Sequence, residues 1–389
     1  MEYFDVPGLA CRAEALKKKV LILLNSSWNV MNFRSNLIRQ LLRDGYDVHV
    51  ASPFDAYSER ITALGCQYVP VSIDNKGTNP FVDFLFFIRC IKLFFSVKPD
   101  VLLSYTIKPN IYGSLVARLF NLPVIHNIAG LGATFSKNGW LNNVVRSLYR
   151  AALSRSAMVF FQNMDDRNLF VDEGLISHKR VDLLPGSGVD LKKFNPLPAS
   201  KNTKVYFLLI ARLLWEKGVG DFVQAAQILR QRGIKAEFFV LGFLDVQNPS
   251  AITQQQMDEW VAEGLVNYLG VSDNVSEHIA AADCIVLPSY YREGTPRTLL
   301  EAAAMAKPIV TTDAVGCREA VEDGVNGFLC EPRNPEDLAN KMQIFSQLSH
   351  DDRNLMGKRS REKVEREFDE KIVINKYCQT IKSILQNRH

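Results

Sequence analysis

Ala282-Asp-Cys-Ile-Val-Leu-Pro-Ser-Tyr-Tyr-Arg-Glu-Gly-Thr-Pro-Arg-Thr-Leu-Leu-Glu-Ala-Ala-Ala-Met-Ala306 reads as a short buried strand, a loop and a helix. Cys284 to Leu287 is an apolar run of strand length. Thr295 is a good N-cap and Pro296 suits the first helical position, so a helix is expected through Leu299, Leu300, Ala303 and Ala304 until Lys307-Pro308 stops it. Ile309 to Thr312 then reads as a second strand. Strand, loop, helix and strand make a parallel crossover unit, and ligands of such sheets bind at the C-terminal ends of the strands.

Two carboxylates, Glu293 and Glu301, fall at that edge on either side of the helix start. The backbone amides of a first helical turn, aided by the macrodipole, suit a phosphate. A carboxylate on either side can accept hydrogen bonds from hydroxyls. The alternative is structural: Thr298-Leu-Leu-Glu301 as a capping box, with Glu301 satisfying backbone donors and Glu293 solvated.

Working outward, the same unit recurs. Strands are expected at Val20 to Leu24, Val48 to Ala51, Gln67 to Val71, Val101 to Ser104, Val124 to Asn127 and Met158 to Gln162. A second series runs through Val205 to Ile210, Ala236 to Leu241, Val266 to Leu269, Cys284 to Leu287, Ile309 to Thr312 and Gly327 to Cys330. With helical segments between them, this order predicts an α/β protein of two doubly wound Rossmann-like domains, 18–198 and 199–369, facing a central cleft. Residues 1–17 are left as an extension, and the final segment, about 370–389, reads as an amphipathic helix.

A chain of 389 residues with 47% apolar composition can bury two cores. Its seven cysteines are odd in number and lack a Cys-x-x-Cys spacing, so neither a disulfide framework nor a zinc site is suggested and a cytoplasmic setting is expected. Glu2, Asp5 and Glu14, with no apolar run before Lys19, argue against a secretory signal. Residues 1–195 hold 23 Lys and Arg against 16 Asp and Glu, which makes the N-terminal half the basic one. Its cations are dispersed rather than clustered with aromatics, which argues against nucleic acid.

Ala211-Arg-Leu-Leu-Trp-Glu-Lys-Gly218 follows the first strand of the second domain and sets Arg212 and Lys217 at its C-terminal edge. Departure of a diphosphate needs neutralisation by a metal or by fixed cations. The chain has no Asp-x-Asp motif. These two cations are what a metal-free solution requires; otherwise they are solvated residues at a strand–helix junction.

The run from Ala282 to Ala306 resembles the donor-site signature of retaining glycosyltransferases of family four, which have the GT-B fold, and that resemblance implies that the final helix at about 370–389 returns to the first domain. The resemblance implies that Glu301 binds ribose hydroxyls, that Glu293 faces the donor hexose, and that Gly294, Thr295, Pro296, Arg297 and Thr298 lend backbone amides to a diphosphate. Arg212 and Lys217 match the family's diphosphate-binding pair. Glu293, Arg212 and Lys217 are therefore the catalytic candidates, with no metal or cofactor expected. Intact Glu293, Glu301, Arg212 and Lys217 argue against a non-catalytic nucleotide-sugar-binding scaffold.

Asn25-Ser-Ser-Trp-Asn-Val-Met-Asn-Phe-Arg34, Thr106-Ile-Lys-Pro-Asn-Ile-Tyr-Gly113, Asn127-Ile-Ala-Gly-Leu-Gly132 and Gly186-Ser-Gly-Val-Asp190 resemble a bacterial branch that builds undecaprenyl-linked glycans. Asn248-Pro-Ser-Ala-Ile252, with Trp260 and Gly264-Leu265, belongs to the same pattern, so the resemblance covers nearly all of 18–385. It is nearest to N-acetylgalactosaminyltransferases. The expectation is transfer of a hexosamine, GalNAc first, from a UDP-sugar to an undecaprenyl-diphosphate-linked glycan. Other donors (UDP-galactose, UDP-glucose, UDP-GlcNAc, GDP-mannose) or a non-lipid acceptor are the alternatives.

Arg34, Lys108 and Asn127 are the acceptor-site candidates; Arg34 and Lys108 could also be ordinary surface cations. Family members carry a His directly before a Gly after the strand at 124–127. Here Ala129 takes that place, and His126 reads as a packed imidazole rather than a base. Phe81-Val-Asp-Phe-Leu-Phe-Phe-Ile-Arg-Cys-Ile-Lys-Leu-Phe-Phe95 is too interrupted by Asp83, Arg89 and Lys92 to span a bilayer. It is either a core helix or an interfacial one, and Gly139 to Arg155 is a second basic amphipathic candidate. A lipid-linked acceptor makes peripheral attachment to the anionic inner face of the plasma membrane the expectation.

Overall fold

The computed structural model describes residues 17–74, 77, 79–131, 140–197, 204–244 and 248–387. The expected extension at 1–17 lies outside them apart from Lys17, as do the domain boundary at 198–199, residues 132–139 and the last two residues of the chain.

The first sheet contains β1 (Lys19–Leu23), β2 (Asp47–Ser52), β3 (Gln67–Pro70), β4 (Val101–Tyr105), β5 (Val124–Ile128), β6 (Met158–Phe161) and β7 (Val181–Leu183), parallel and in the order β3-β2-β1-β4-β5-β6-β7. The second contains β8 (Val205–Ile210), β9 (Ala236–Leu241), β10 (Asn267–Tyr268), β11 (Cys284–Leu287), β12 (Ile309–Thr312) and β13 (Gly327–Cys330), also parallel, in the order β10-β9-β8-β11-β12-β13. Both are doubly wound. The strand order reverses between β1 and β4 and between β8 and β11, which opens a crevice at the C-terminal edge of each sheet.

The central strands are continuous apolar runs because both faces are covered by helices. Val20, Leu21, Ile22 and Leu23 of β1, and Cys284, Ile285 and Val286 of β11, are wholly buried. β7 is the strand that pattern reading missed. It is only Val-Asp-Leu at the sheet's edge, half-buried throughout, and offers no apolar run to read.

The two domains are tied by two chain crossings. Val189, on the way out of the first domain, lies beside Asp369 on the way back, with Val189 N–H donating to the Phe368 carbonyl (2.9 Å) and Glu370 N–H to the Val189 carbonyl (3.1 Å). Asn36 Nδ2 bridges Asp190 (3.0 Å) and Glu370 (2.5 Å) at the same point. The helix Glu370–Gln386 then buries Val373, Tyr377, Ile381 and Leu385, one face at helical spacing, in the core that contains Val20, Ile22 and Leu103 of the first sheet. At about 1.5–3 kcal/mol per buried aliphatic side chain, that face makes the last helix part of the first domain.

The helix Pro80–Val97 has two characters. Phe86, Cys90, Leu93, Phe94 and Val97 are buried in the first domain, while Phe81, Phe84, Leu85 and Phe95 face outward, Phe81 68% and Phe84 57% exposed. No helix among the described residues is long and apolar enough to cross a membrane.

Candidate active site

The helix after β11 begins one residue later than capping chemistry suggests. It spans Arg297–Ala304 with Pro296 at the N-cap position, and no side chain caps it. Thr295, expected to be the cap, is buried with its hydroxyl unpaired among the described residues. Tertiary packing replaces the missing cap. Leu299, Leu300, Ala302, Ala303 and Ala304 are all fully buried, and two leucines alone outweigh the roughly 1 kcal/mol a cap supplies. The first turn is thus held in place with no side chain covering its amides.

Glu301 does not close a capping box on Thr298. Its carboxylate accepts a hydrogen bond from Arg297 Nε at 2.8 Å, one turn back. Burial pushes its carboxyl above the usual range, and Arg297 opposes that shift. Arg297 also places its guanidinium 4.9 Å over the Phe33 ring and donates through Nη1 to the Asn32 carbonyl, so this loop touches the first domain.

Glu293 lies in the loop before the helix. Its Oε1 is ion-paired with Lys217 Nζ and accepts from Ser289 Oγ at 3.3 Å. Lys217 arrives from a different strand: it ends the short turn Trp215–Lys217 after β8, and its side chain is only 7% exposed. Gly218 makes this approach feasible. Its φ is +73°, and a Cβ there would stand 2.1 Å from the Pro288 carbonyl oxygen. Arg212, at the end of β8, is exposed and pairs with no other described residue. Residues far apart in sequence thus converge, Lys217 and Glu293 in contact, with Arg212 exposed at the end of the same strand β8.

The acceptor candidates divide. Arg34 is buried between the helices Ser27–Phe33 and Ser35–Arg43, its guanidinium 4.3 Å over the Tyr105 ring. Asn127 is buried nearby; it donates to the Tyr377 hydroxyl (3.0 Å) and accepts from Gln162 Nε2 (3.3 Å). Lys108 lies apart from both, ion-paired at 2.6 Å with Asp83, which also accepts from the Tyr112 hydroxyl.

His126 is fully buried in β5, its ring between Ser114 Oγ (3.2 Å) and Asn110 Oδ1 (3.3 Å), and burial pushes its pKa down to about 3. An unfolded His takes up a proton near pH 6.5 that the folded chain refuses until about pH 3. The stability this neutral imidazole contributes is therefore complete above that upper value and falls as pH drops through the window, by ~1.4 kcal/mol per pH unit. Urea unfolding between pH 7 and about pH 4 should show that slope, and His126→Asn should flatten it.

Several residues at the site escaped sequence reading: Arg292, Ser289, Ala129, Gly130, Gln162, Asn163 and Asp166. Arg292 adjoins Glu293, but nothing local marks its target. Asn163-x-x-Asp166 reads as ordinary helix capping, and Asn163 does cap the helix Met164–Asp172 through the Asp166 amide (2.7 Å).

The chain and its fold are similar to those of known glycosyltransferases. Residues 204–347 match the family described as glycosyl transferases group 1, and residues 19–163 match glycosyl transferase 4-like. The chain is 28% identical over 386 residues, covering 95% of it and 100% of the relative, to the N,N'-diacetylbacillosaminyl-diphospho-undecaprenol alpha-1,3-N-acetylgalactosaminyltransferase of Campylobacter jejuni. It is 25% identical over 72% of its length, and 74% of the relative's, to an Escherichia coli UDP-Gal:alpha-D-GlcNAc-diphosphoundecaprenol alpha-1,3-galactosyltransferase. Among solved structures, a glycosyltransferase from Rickettsia africae superposes with a TM-score of 0.79 at 18% identity, covering 96% of this chain and 100% of that one. Anabaena HepE in complex with UDP and glucose gives 0.74 at 18%, covering 94% and 100%.

Proposed function

We propose, from the premise that this chain belongs to the group 1 glycosyltransferases with the GT-B fold, that it transfers N-acetylgalactosamine from its UDP conjugate to an undecaprenyl-diphosphate-linked sugar with retention of anomeric configuration. The observation that carries this reading is the Lys217–Glu293 ion pair in the loop that leads into an uncapped helix start at a sheet's C-terminal edge, the helix that bears Glu301. Glu301 takes the ribose hydroxyls and Glu293 faces the hexose, while the diphosphate falls to the N–H groups of Thr295, Arg297 and Thr298, since Pro296 has none and that of Gly294 is held by the Ala129 carbonyl. The acceptor hydroxyl oxygen bonds to the anomeric carbon on the face from which UDP departs, and its proton passes to the leaving phosphate oxygen. Arg212 and Lys217 neutralise that phosphate, so no metal is required.

The similarity to the Campylobacter enzyme along the whole chain supports the lipid-linked acceptor and the choice of GalNAc, and the galactosyltransferase relative supports UDP as the nucleotide. Arg34, Asn127 and Lys108 stand on the acceptor side. A screen of the purified chain against UDP- and GDP-sugars, with and without an undecaprenyl-diphosphate-linked acceptor, is expected to give fastest turnover with UDP-GalNAc. Preference for a GDP-sugar, or equal use of a non-lipid acceptor, overturns the corresponding half.

The outward face of the helix Pro80–Val97 supports attachment to an anionic membrane surface on the cytoplasmic side. Phe81, Phe84, Leu85 and Phe95 are joined there by exposed Arg89, Lys92 and Lys98. Phe81→Glu with Phe84→Glu should lower co-sedimentation with vesicles containing anionic lipid by roughly tenfold or more while leaving the thermal midpoint in place. Unchanged sedimentation removes this helix as the anchor.

A further inference from the structure

The loop that bears Glu293 is gripped from the opposite domain. Gly294 N–H donates to the Ala129 carbonyl after β5 at 2.9 Å, and Asn163 Nδ2, after β6, donates to the Glu293 carbonyl at 3.4 Å. Arg292 Nε donates to Asp166 Oδ1 at 2.9 Å. At Gly130, whose φ is +110°, a Cβ would lie 2.5 Å from Glu293 Cα, so the two backbones meet too closely for a side chain there; at Gly294 a Cβ would displace the end of the Gln162 side chain, 2.0 Å from its Oε1.

Asp166 is the unusual member. An acidic residue in a first helical turn ordinarily faces solvent and answers the helix dipole. Here its side chain is fully buried, its Oδ2 held by Asn163 Nδ2 at 3.0 Å, while Arg292 is 31% exposed. Burial pushes the carboxyl up, opposed by hydrogen bonds from Asn163 and Arg292. A buried carboxylate aimed out of its own domain, whose ion-pair partner adjoins Glu293, is more than a dipole correction.

We propose that Asp166 and Arg292 are positioning residues that set Glu293 from across the cleft, so that its carboxylate is placed by closure of the two domains rather than by its own domain alone. The inference rests on the reading that Glu293 faces the donor sugar. A loop free to shift by about 1 Å forfeits much of the benefit of orientation, which is why a residue that never touches substrate can govern turnover.

The test uses the full chain with Arg292→Ala, Asp166→Asn, the double variant, Arg292→Lys and Glu293→Gln. Hydrogen exchange over residues 289–297, affinity for UDP and turnover of UDP-GalNAc are each measured. Both single variants are expected to exchange roughly tenfold faster across this segment, with core strands unchanged. Turnover should fall by roughly tenfold or more and by more than UDP affinity falls through the neighbouring diphosphate-binding amides, the double variant being no worse than either single one. Arg292→Lys should recover part of the turnover. Unchanged exchange, or full turnover in Arg292→Ala alongside an inactive Glu293→Gln, overturns the proposal. So does a joint decline of turnover, UDP affinity and thermal midpoint, the mark of general damage. Full turnover in Glu293→Gln overturns the donor-site reading instead, and exchange alone then decides whether the pair holds the loop.

Discussion

Glu293→Gln is expected to lower turnover by roughly 100-fold or more without weakening affinity for UDP, since it frees Lys217 from its counter-ion. The carboxylate reaches the reaction through charge: as the bond to the departing UDP stretches, positive charge grows on the anomeric carbon and ring oxygen, and a fixed anion nearby stabilises it. The amide is nearly isosteric and can still accept from Ser289 Oγ, so the loop keeps its shape while the charge is lost. UDP lacks the sugar that Glu293 faces, so its binding serves as the internal control. Unaltered turnover would falsify the assignment of Glu293 to the donor site.

Lys217→Ala is expected to cost roughly 100-fold in turnover as well, and unlike the Glu293 variant it should also weaken UDP binding, because the ammonium meets the diphosphate in both ground and transition states. A second cost follows from geometry. Lys217 is buried and paired with Glu293, whose side chain is 20% exposed, so truncation strands a partly buried carboxylate. Turnover of the unaltered chain should persist in excess EDTA. If EDTA abolishes it, Lys217 and Arg212 do not replace a metal. If Lys217→Ala binds UDP normally, the lysine serves only to hold Glu293.

The two substitutions separate the halves of the ion pair. In the proposed function Glu293 acts on the sugar and Lys217 on the phosphate, yet in the structure each is the other's counter-ion. Ligand binding therefore has to divide this pair or share it, and the variants report which side dominates.

Pattern reading located most strands to within a residue because the fold is built from buried parallel strands. A run such as Val205 to Ile210 has no polar interruption and is bounded by turn residues, so its ends are visible locally. Val181–Leu183 failed that test because an edge strand of three residues carries too little apolar signal. The helix after β11 was legible in existence but not in its start. Thr295 has the chemistry of a cap, yet its side chain is drawn into the interior beside Gly186 and Leu300, and packing of Leu299 and Leu300 holds the helix without it.

The strand–loop–helix unit that carries Glu293 and Glu301 was readable because it is contiguous and its geometry is local. The acceptor side was not. Arg34 and Lys108 look alike in sequence, each a cation soon after a strand. Only folding buries Arg34 against Tyr105 and turns Lys108 toward Asp83 of another helix. Arg292 and Asp166 are 126 residues apart, and neither breaks a local pattern.

The chain by itself thus determined two doubly wound domains and the strand–loop–helix unit that carries Glu293 and Glu301, because apolar strand runs and turn residues act over a few residues. The tertiary structure alone decided that Lys217 meets Glu293 and that the first domain grips the loop between Arg292 and Gly294. These contacts depend on two sheets closing edge to edge, and no local periodicity encodes the register of one domain against another.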